Sequence, residues 1–431
     1  MTTKESSGAA GVCPVTFVDR VDGVDGVDAA KPVIGLDLRD PDFAKHNYDI
    51  YDELRDSCPV AWSTEGDGFW FLTAYAPVYD ATKNDDTFIS SEGAGIDKRP
   101  EGTGDTMAIP IETDPPDTVL YRKITIGKFS PKNAAVLEPE IRRMANELID
   151  EFIESGEGDL VKQLSTPLPA RTIMRMLGMD ESRWPEWVSW IHTFVHGQGP
   201  AKMQAMQQLL VEITTEIRTR QHAGEAGDDL LAAIMTGRIH DRPLSESEQL
   251  RYVLLMLLGG MDTTSGLTGN SLERIATDPD LRRKLVQRRD LLRPATEEFL
   301  RHGTPTQGLG RMVSKDVEFY GQRMKAGDRV MLMWAAANRD PAEFPDPDRI
   351  DIERHPNRHM AFGVGLHRCL GSNLARTMFQ VMIDEILNRL PDFELTIDAV
   401  PRFDNAGNVY APTAFPVRFT PGDRMYPPSS E

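Results

Sequence analysis

One short run near the end of the chain limits what the rest can be: Phe362-Gly363-Val364-Gly365-Leu366-His367-Arg368-Cys369-Leu370-Gly371, leading into a helical pattern from Ser372 to Leu390. A cysteine just ahead of a helix meets the positive end of the dipole and free backbone N–H groups, and both favour the thiolate. Glycines let the backbone fold closely around the sulfur. They contribute nothing to core packing, so Cys369 reads as a metal ligand rather than as a packed structural thiol.

At 431 residues the chain is long enough for a large core, and 40% hydrophobic with 27% charged residues is ordinary globular composition. The net charge of −19 argues against nucleic acid or an anionic membrane as a bulk partner. Cysteines 13, 58 and 369 give neither a disulfide framework nor a CxxC zinc spacing, which points to free thiols in a reducing compartment. No apolar run follows the first residues, and Val253 to Leu258 is far short of the roughly 20 residues a bilayer span needs. The expectation is a soluble, cytoplasmic monomer. Residues 1–35, polar and partly repetitive (Val21-Asp22-Gly23-Val24-Asp25-Gly26-Val27-Asp28), read as a flexible tail, and 36–431 as a single catalytic domain.

Apolar spacings of three and four predict helices over 133–154, 180–194, 201–222, 245–275, 279–289 and 294–302, with another over Tyr48 to Asp56. Val60 to Trp62, Phe69 to Leu72, Val317 to Phe319 and Val330 to Met333 read as strands, and Glu92 to Pro116 as loop. The fold class is mainly α with a small β-rich portion.

Two further segments stand out. Gly259-Gly260-Met261-Asp262-Thr263-Thr264 sits inside an apolar helix. Two interior glycines cost about 0.5–1 kcal/mol each, and a buried charge costs more, so the cluster marks a site. Glu298 and Arg301 share a helix face at i,i+3. Taken alone that is an ordinary ion pair.

Together, in this order, the three segments resemble the cytochromes P450. Phe-Gly-x-Gly-x-His-x-Cys-x-Gly is that family's haem-binding loop, and every fixed position matches. The resemblance implies a P450 fold of the soluble bacterial type, holding haem b with Cys369 as axial ligand; a thiolate ligand pushes electron density toward the iron and favours O–O cleavage. It implies that Phe362 packs by the sulfur, that Gly363 shapes the loop, and that His367 pairs with a haem propionate. Asp262 and Thr263 resemble the family's acid–alcohol pair, which manages dioxygen and its protons. Glu298 and Arg301 match the buried ExxR pair, with Arg349 or Arg354 as third member. Arg122 and Arg311 align with propionate-binding arginines, and the fork of arginine suits a carboxylate. Thr118 stands where many members have histidine, a neutral and shorter group that puts one propionate contact in doubt.

The implied reaction is monooxygenation: hydroxylation or O-dealkylation of an apolar small molecule, using O₂ and two electrons. No flavin, nicotinamide or ferredoxin signature is present, so electrons are expected from a separate ferredoxin and ferredoxin reductase. Lys123, Lys128, Arg142, Arg143 and Arg368 are the basic residues expected to meet an acidic partner. A substrate pocket is expected from Met107, Ile109, Val195, Gly259, Leu309 and Phe415, with Arg99 or His196 available to a carboxylate. Peroxide-driven oxidation, decarboxylation and non-catalytic haem binding are the alternatives. An intact acid–alcohol pair argues against them.

Overall fold

The structure is a computed structural model, and it describes residues 33–97, 108–224, 227–407 and 409–427. Of the expected tail, residues 1–32 lie outside this set, as do Arg99 and Met107. The end of the expected tail is built into the fold: Val33–Ile34 (β1) is buried and pairs in parallel with Val60–Ser63 (β2). Two consecutive apolar residues are enough to seat that edge strand.

Helices follow as α1 (Pro41–Ser57), α2 (Tyr75–Lys83), α3 (Asp117–Thr125), α4 (Pro131–Asp150), α5 (Pro167–Met176), α6 (Trp184–His196) and α7 (Gly199–Ala223). The second half adds α8 (Leu230–Met235), α9 (Glu246–Thr277), α10 (Pro279–Gln287), α11 (Leu292–His302), α12 (Trp334–Ala337) and α13 (Ser372–Arg389). The main sheet continues with β3 (Phe69–Leu72) and β4 (Phe88–Ile89). A small sheet begins with β5 (Glu157–Asp159), and β6 (Arg238–Ile239) pairs with β7 (Arg242–Pro243). Then come β8 (Leu309–Val313), β9 (Val317–Phe319), β10 (Gln322–Met324), β11 (Arg329–Leu332), β12 (Glu394–Leu395) and β13 (Pro416–Arg418). The six-stranded sheet has the order β1-β2-β3-β11-β8-β4. Its register sets Trp62 opposite Trp70 and Val330 opposite both Trp70 and Arg311.

Local chemistry sets the boundaries. Helix α1 starts at Pro41, ahead of the expected Tyr48, because Asp40 accepts the Asp42 N–H and Pro41 fits the first turn. Helix α4 stops at Asp150, short of the expected 154, where the chain tightens into a 3₁₀ turn ending at Gly156, φ +74°. Periodicity marks none of α2, α3 or α5: each is short, and α2 and α5 carry Pro77, Pro167 and Pro169 in their first turns, where no helical N–H bond is lost. Helix α9 opens with a capping box, Ser245 with Glu248. Arg242 and Tyr121 also bind the Glu248 carboxylate, and with the cap they hold it well below the usual carboxylate range.

Helix α9 is the central pillar. From Thr264 to Leu272 every residue is buried, and the helix packs against α5, α7 and α13. A helix buried on all sides has to hide its polar groups. Thr268 and Ser271 do so by donating to the carbonyls of Thr264 (2.9 Å) and Leu267 (2.7 Å).

A second constraint holds the cysteine side. Glu298 and Arg301 are fully buried and bound fork to fork, with both N···O distances 2.8 Å. Arg354 supplies the third side chain, its Nε 3.2 Å from each Glu298 oxygen, while Arg349 contributes only its carbonyl to Arg301. The Asp351 N–H and the Asn357 amide complete the carboxylate's shell. Arg301 also donates to the Asn338 carbonyl, and the Asn338 side chain accepts the Met360 N–H at 2.6 Å. Removing one partner strands the others' charge in a dry core. Arg301→Ala is therefore expected to lower unfolding free energy by about 3–5 kcal/mol in denaturant melts. An exposed-pair control, Arg418→Ala, is expected to change it by less than about 1 kcal/mol.

Candidate active site

Met360 leads directly into the cysteine loop. Gly363 (φ +63°) and Gly365 (φ +72°) take left-handed conformations that side chains disfavour, and so turn the loop back on itself. The turn is closed by the Cys369 N–H donating to the Phe362 carbonyl at 2.8 Å. Arg376 of α13 lies over the Phe362 ring, 4.5 Å from its centroid, and is anchored by two 2.7 Å bonds to Glu297. Arg376 and His359 hold the Glu297 carboxyl at about 2, against the opposing effect of burial.

Cys369 and Thr263 open on the same cleft, whose empty space totals about 1310 Å³ including its mouth. One wall is the loop: Phe362, His367, Cys369, Leu370 and Gly371. The facing wall is α9: Gly259, Gly260, Thr263, Thr264 and Leu267. Cys369 is exposed and lines the cleft. Burial pushes the thiol up, opposed by the Gly371 N–H and by Arg122, Arg368 and Arg376. Gly260 is needed for the close approach of α5, since a Cβ there would sit 3.0 Å from Ile173 Cγ1. A Cβ at Gly259 would meet nothing within 4 Å, which leaves a gap beside Thr263. The Thr263 hydroxyl donates to the Gly259 carbonyl at 3.0 Å.

Cationic groups gather at the rim on the cysteine side. Arg122, half-buried, donates to the Arg368 carbonyl at 2.7 Å. Arg311 is 1% exposed, and among the described residues it bonds only the Gly310 carbonyl and leaves Nε without a partner. Burial brings its guanidinium down to about 10. His367 Nε2 lies 3.2 Å from Ser90 Oγ, and burial, with the Arg311 and Arg122 charges, lowers it to about 3. These features fit an iron porphyrin. A sulfur faces apolar walls, and a buried arginine with Asp85 and Asp114 as charged neighbours, but hydrogen-bonded to neither, has donors left for a further carboxylate.

Several expected residues lie off the cleft. Thr118 is fully buried and spends its hydroxyl on Thr113, so it lies off the cleft. Ile109 and Phe415 are core residues, at 1% and 0% exposure; Pro110 and Ile111 line the cleft in place of Ile109. Val195 packs on the helical core from the outer part of α6. Gly259 and Leu309 do line the cleft. Ile173, Leu255, Met256 and Trp334 join them with no sequence signal beyond their apolar character.

Asp262 faces away from Thr263 and toward α6. It is buried, with Oδ1 2.9 Å from His192 Nε2 and Oδ2 3.4 Å from His196 Nε2. Burial works to raise its carboxyl, but the two histidines prevail and hold it at about 2. Neither histidine pairing was legible in the motif.

A family model described as Cytochrome P450 matches residues 170–409. The steroid C26-monooxygenase of Mycolicibacterium smegmatis is 34% identical over 361 residues, covering 82% of this chain and 88% of that protein. Linalool 8-monooxygenase of Pseudomonas putida is 30% identical, covering 83% and 93%. Among solved structures, CYP109E1 of Bacillus megaterium in complex with testosterone superposes with a TM-score of 0.81 at 28% identity, covering 88% of this chain and 99% of that one.

The Asp262 pair carries a pH signature. The lowered carboxyl stabilises the fold above its unfolded value of about 4, and this is lost as pH falls toward 2. His192 is raised: burial opposes, but the bond and charge of Asp262 prevail, so its share is present at low pH and lost as pH rises through the folded value. Asp262→Asn is thus expected to cost on the order of 2 kcal/mol between about pH 4 and 6.5, fading on both sides, in denaturant melts across pH.

Proposed function

The chain belongs to the cytochrome P450 family and is a hydroxylating monooxygenase, and on that premise we propose that the cleft between Cys369 and α9 holds haem b and oxidises an apolar molecule of terpenoid or steroid type. The observation that carries this reading is that Cys369, from the glycine loop, and Thr263, from α9, line one cleft. Bound there, haem supplies the activation of O₂ that puts one oxygen atom into the substrate.

In this reading Cys369 ligates the iron and Phe362 shelters the sulfur. Gly363 gives the loop its turn. Arg122, Arg311 and His367 hold the propionate carboxylates, Arg311 gaining a hydrogen-bonded carboxylate for its unpartnered Nε. With no CxxCH for covalent attachment, the haem is held non-covalently. Thr263 orients a hydroxyl beside the gap at Gly259, and Asp262 supplies protons to the same side of the cleft.

Substrate recognition is apolar. Ile173, Leu255, Met256, Pro305 and Leu309 line the cleft, and its ionisable groups, Arg122, His367 and Cys369, all belong to the cysteine side. Relatives named for steroid and linalool oxidation, and a solved relative holding testosterone, support that chemistry.

The electron donor is proposed to be a ferredoxin fed by its reductase, in the cytoplasm, where Cys58 and Cys369 stay reduced. Its docking face is narrower than the sequence suggests. Lys128 is paired with Asp228, Arg142 with Asp384 and Glu385, and Arg143 with Glu140 and Glu147. Lys123 and Arg368 stay exposed and carry the proposed contact.

Thr263→Ala is expected to keep haem but divert reducing equivalents to hydrogen peroxide, lowering product per NADH by about tenfold or more. Unchanged coupling would refute the role given to Thr263. Optical titration of the ferric protein is expected to give a spin shift with testosterone or linalool and none with a dicarboxylate of similar size; the reverse pattern would refute the apolar reading.

A further inference from the structure

Asp262 and Thr263 are consecutive in α9, so their side chains diverge by about 100° around the helix. Thr263 opens on the cysteine cleft, whereas Asp262 opens on a second cleft of about 870 Å³, mouth included. His192 of α6, Ser265 and Phe403 help to wall that second cleft.

Asp262 meets two histidines with different surroundings. His196 is fixed: its ring stacks on Phe403, centroids 3.4 Å apart and planes 5° apart. Neither ring nitrogen of His196, nor Asp262 Oδ2, has a hydrogen-bond partner at good geometry. His192 is 35% exposed and looks into the second cleft while its Nε2 reaches Asp262. Other charges nearby are committed elsewhere. Lys162, on the π-helical turn Val161–Ser165, is 66% exposed and pairs with Asp159. Arg402, beside Phe403, binds Asn270 and Glu273. Helix α9 adds only Ser265 and Gly266 to the lining.

A lysine or arginine would hold Asp262 as a permanent ion pair. Histidine gives up its proton near neutral pH, and here one of the two faces solvent. We propose that His192 and His196 are positioning residues through which the second cleft supplies protons to Asp262, His192 being the solvent-side relay and His196 the fixed anchor. This rests on the acid–alcohol reading of Asp262 and Thr263. In the step, the Nε2–H bond of protonated His192 breaks as an O–H bond forms on Asp262 Oδ1. Neutral His192 then takes a proton from water in the second cleft. The balance is one proton moved from solvent to carboxyl, with no oxidant or reductant. Between the two transfers both partners are neutral, their attraction weakens, and the carboxylic acid is free to turn toward Thr263. The raised His192 and lowered Asp262 keep the proton on the imidazole at rest, and the store empties as pH rises through the His192 value.

The test uses the haem-loaded protein in its diamagnetic ferrous carbonyl form, labelled with ¹³C at histidine Cε1. The resonance missing in His192→Gln is expected to titrate above the ordinary value of about 6.5 in the wild type and to fall back in Asp262→Asn. No response to Asp262→Asn would overturn the proposal. In NADH-driven turnover with a ferredoxin pair and testosterone as probe, peroxide per NADH is expected to rise with pH in the wild type. In His192→Gln it is expected to be several-fold higher at about pH 6.5 and flat with pH. Glutamine still donates to Asp262, so a wild-type yield and slope would mean a merely structural contact and overturn the proposal. His196→Gln, expected to raise peroxide while leaving the pH slope, serves as second variant should His192→Gln lose haem. If Asp262→Asn and Thr263→Ala also leave coupling intact, the acid–alcohol reading falls with it; if they uncouple and His192→Gln does not, only the relay falls.

Discussion

A single buried carboxylate, Glu298, holds the cysteine side of the molecule in place. It is fully enclosed and satisfied by Arg301, Arg354, Asn357 and the Asp351 N–H. Desolvating such a group is expensive, and the cost is met only when every partner is in position. The network therefore acts as a switch between one geometry and none. Through Arg301 and Asn338 it fixes Met360, and through Met360 the start of the loop that presents Cys369. Stability and ligand geometry share the same atoms.

Facing that loop, α9 divides its labour by helical phase. One side offers Thr263 and the Gly259 gap to the cysteine cleft. An adjacent side offers Asp262 to the histidines of α6 and a separate cleft. On the proposed reading, protons and substrate have separate approaches to the same turn of helix. The arrangement needs a helix that is buried yet rich in small and hydroxylated residues. The i−4 back-bonds of Thr263, Thr268 and Ser271 make that affordable without breaking the pillar.

Local signals were readable in the sequence. The helix starting near Ser245, the glycine turns around Cys369 and the i,i+3 pair at Glu298 depend on near neighbours, and the structure contains each of them. Features that depend on distant partners were not readable. Ile109, Val195 and Phe415 are apolar residues in the right stretches of chain, but which wall they face is decided by packing. Thr118, in the first turn of α3, binds Thr113 in the loop just ahead of it. The Asp262 histidines come from a helix 70 residues away, where their spacing, i,i+4, is no different from that of a solvated face. The third arginine was narrowed to two positions, and the fold uses both: Arg354 by its side chain and Arg349 by its carbonyl.

The most direct test of the account is the carbon monoxide difference spectrum of the reduced protein, recorded for the wild type and for Cys369→His. The account expects the red-shifted band of thiolate-ligated haem in the wild type, and its complete replacement by the imidazole-type band in Cys369→His with haem retained. A wild type lacking the thiolate band, or a Cys369→His protein that keeps it, would contradict the assignment on which the cleft, its arginines and α9 have all been interpreted.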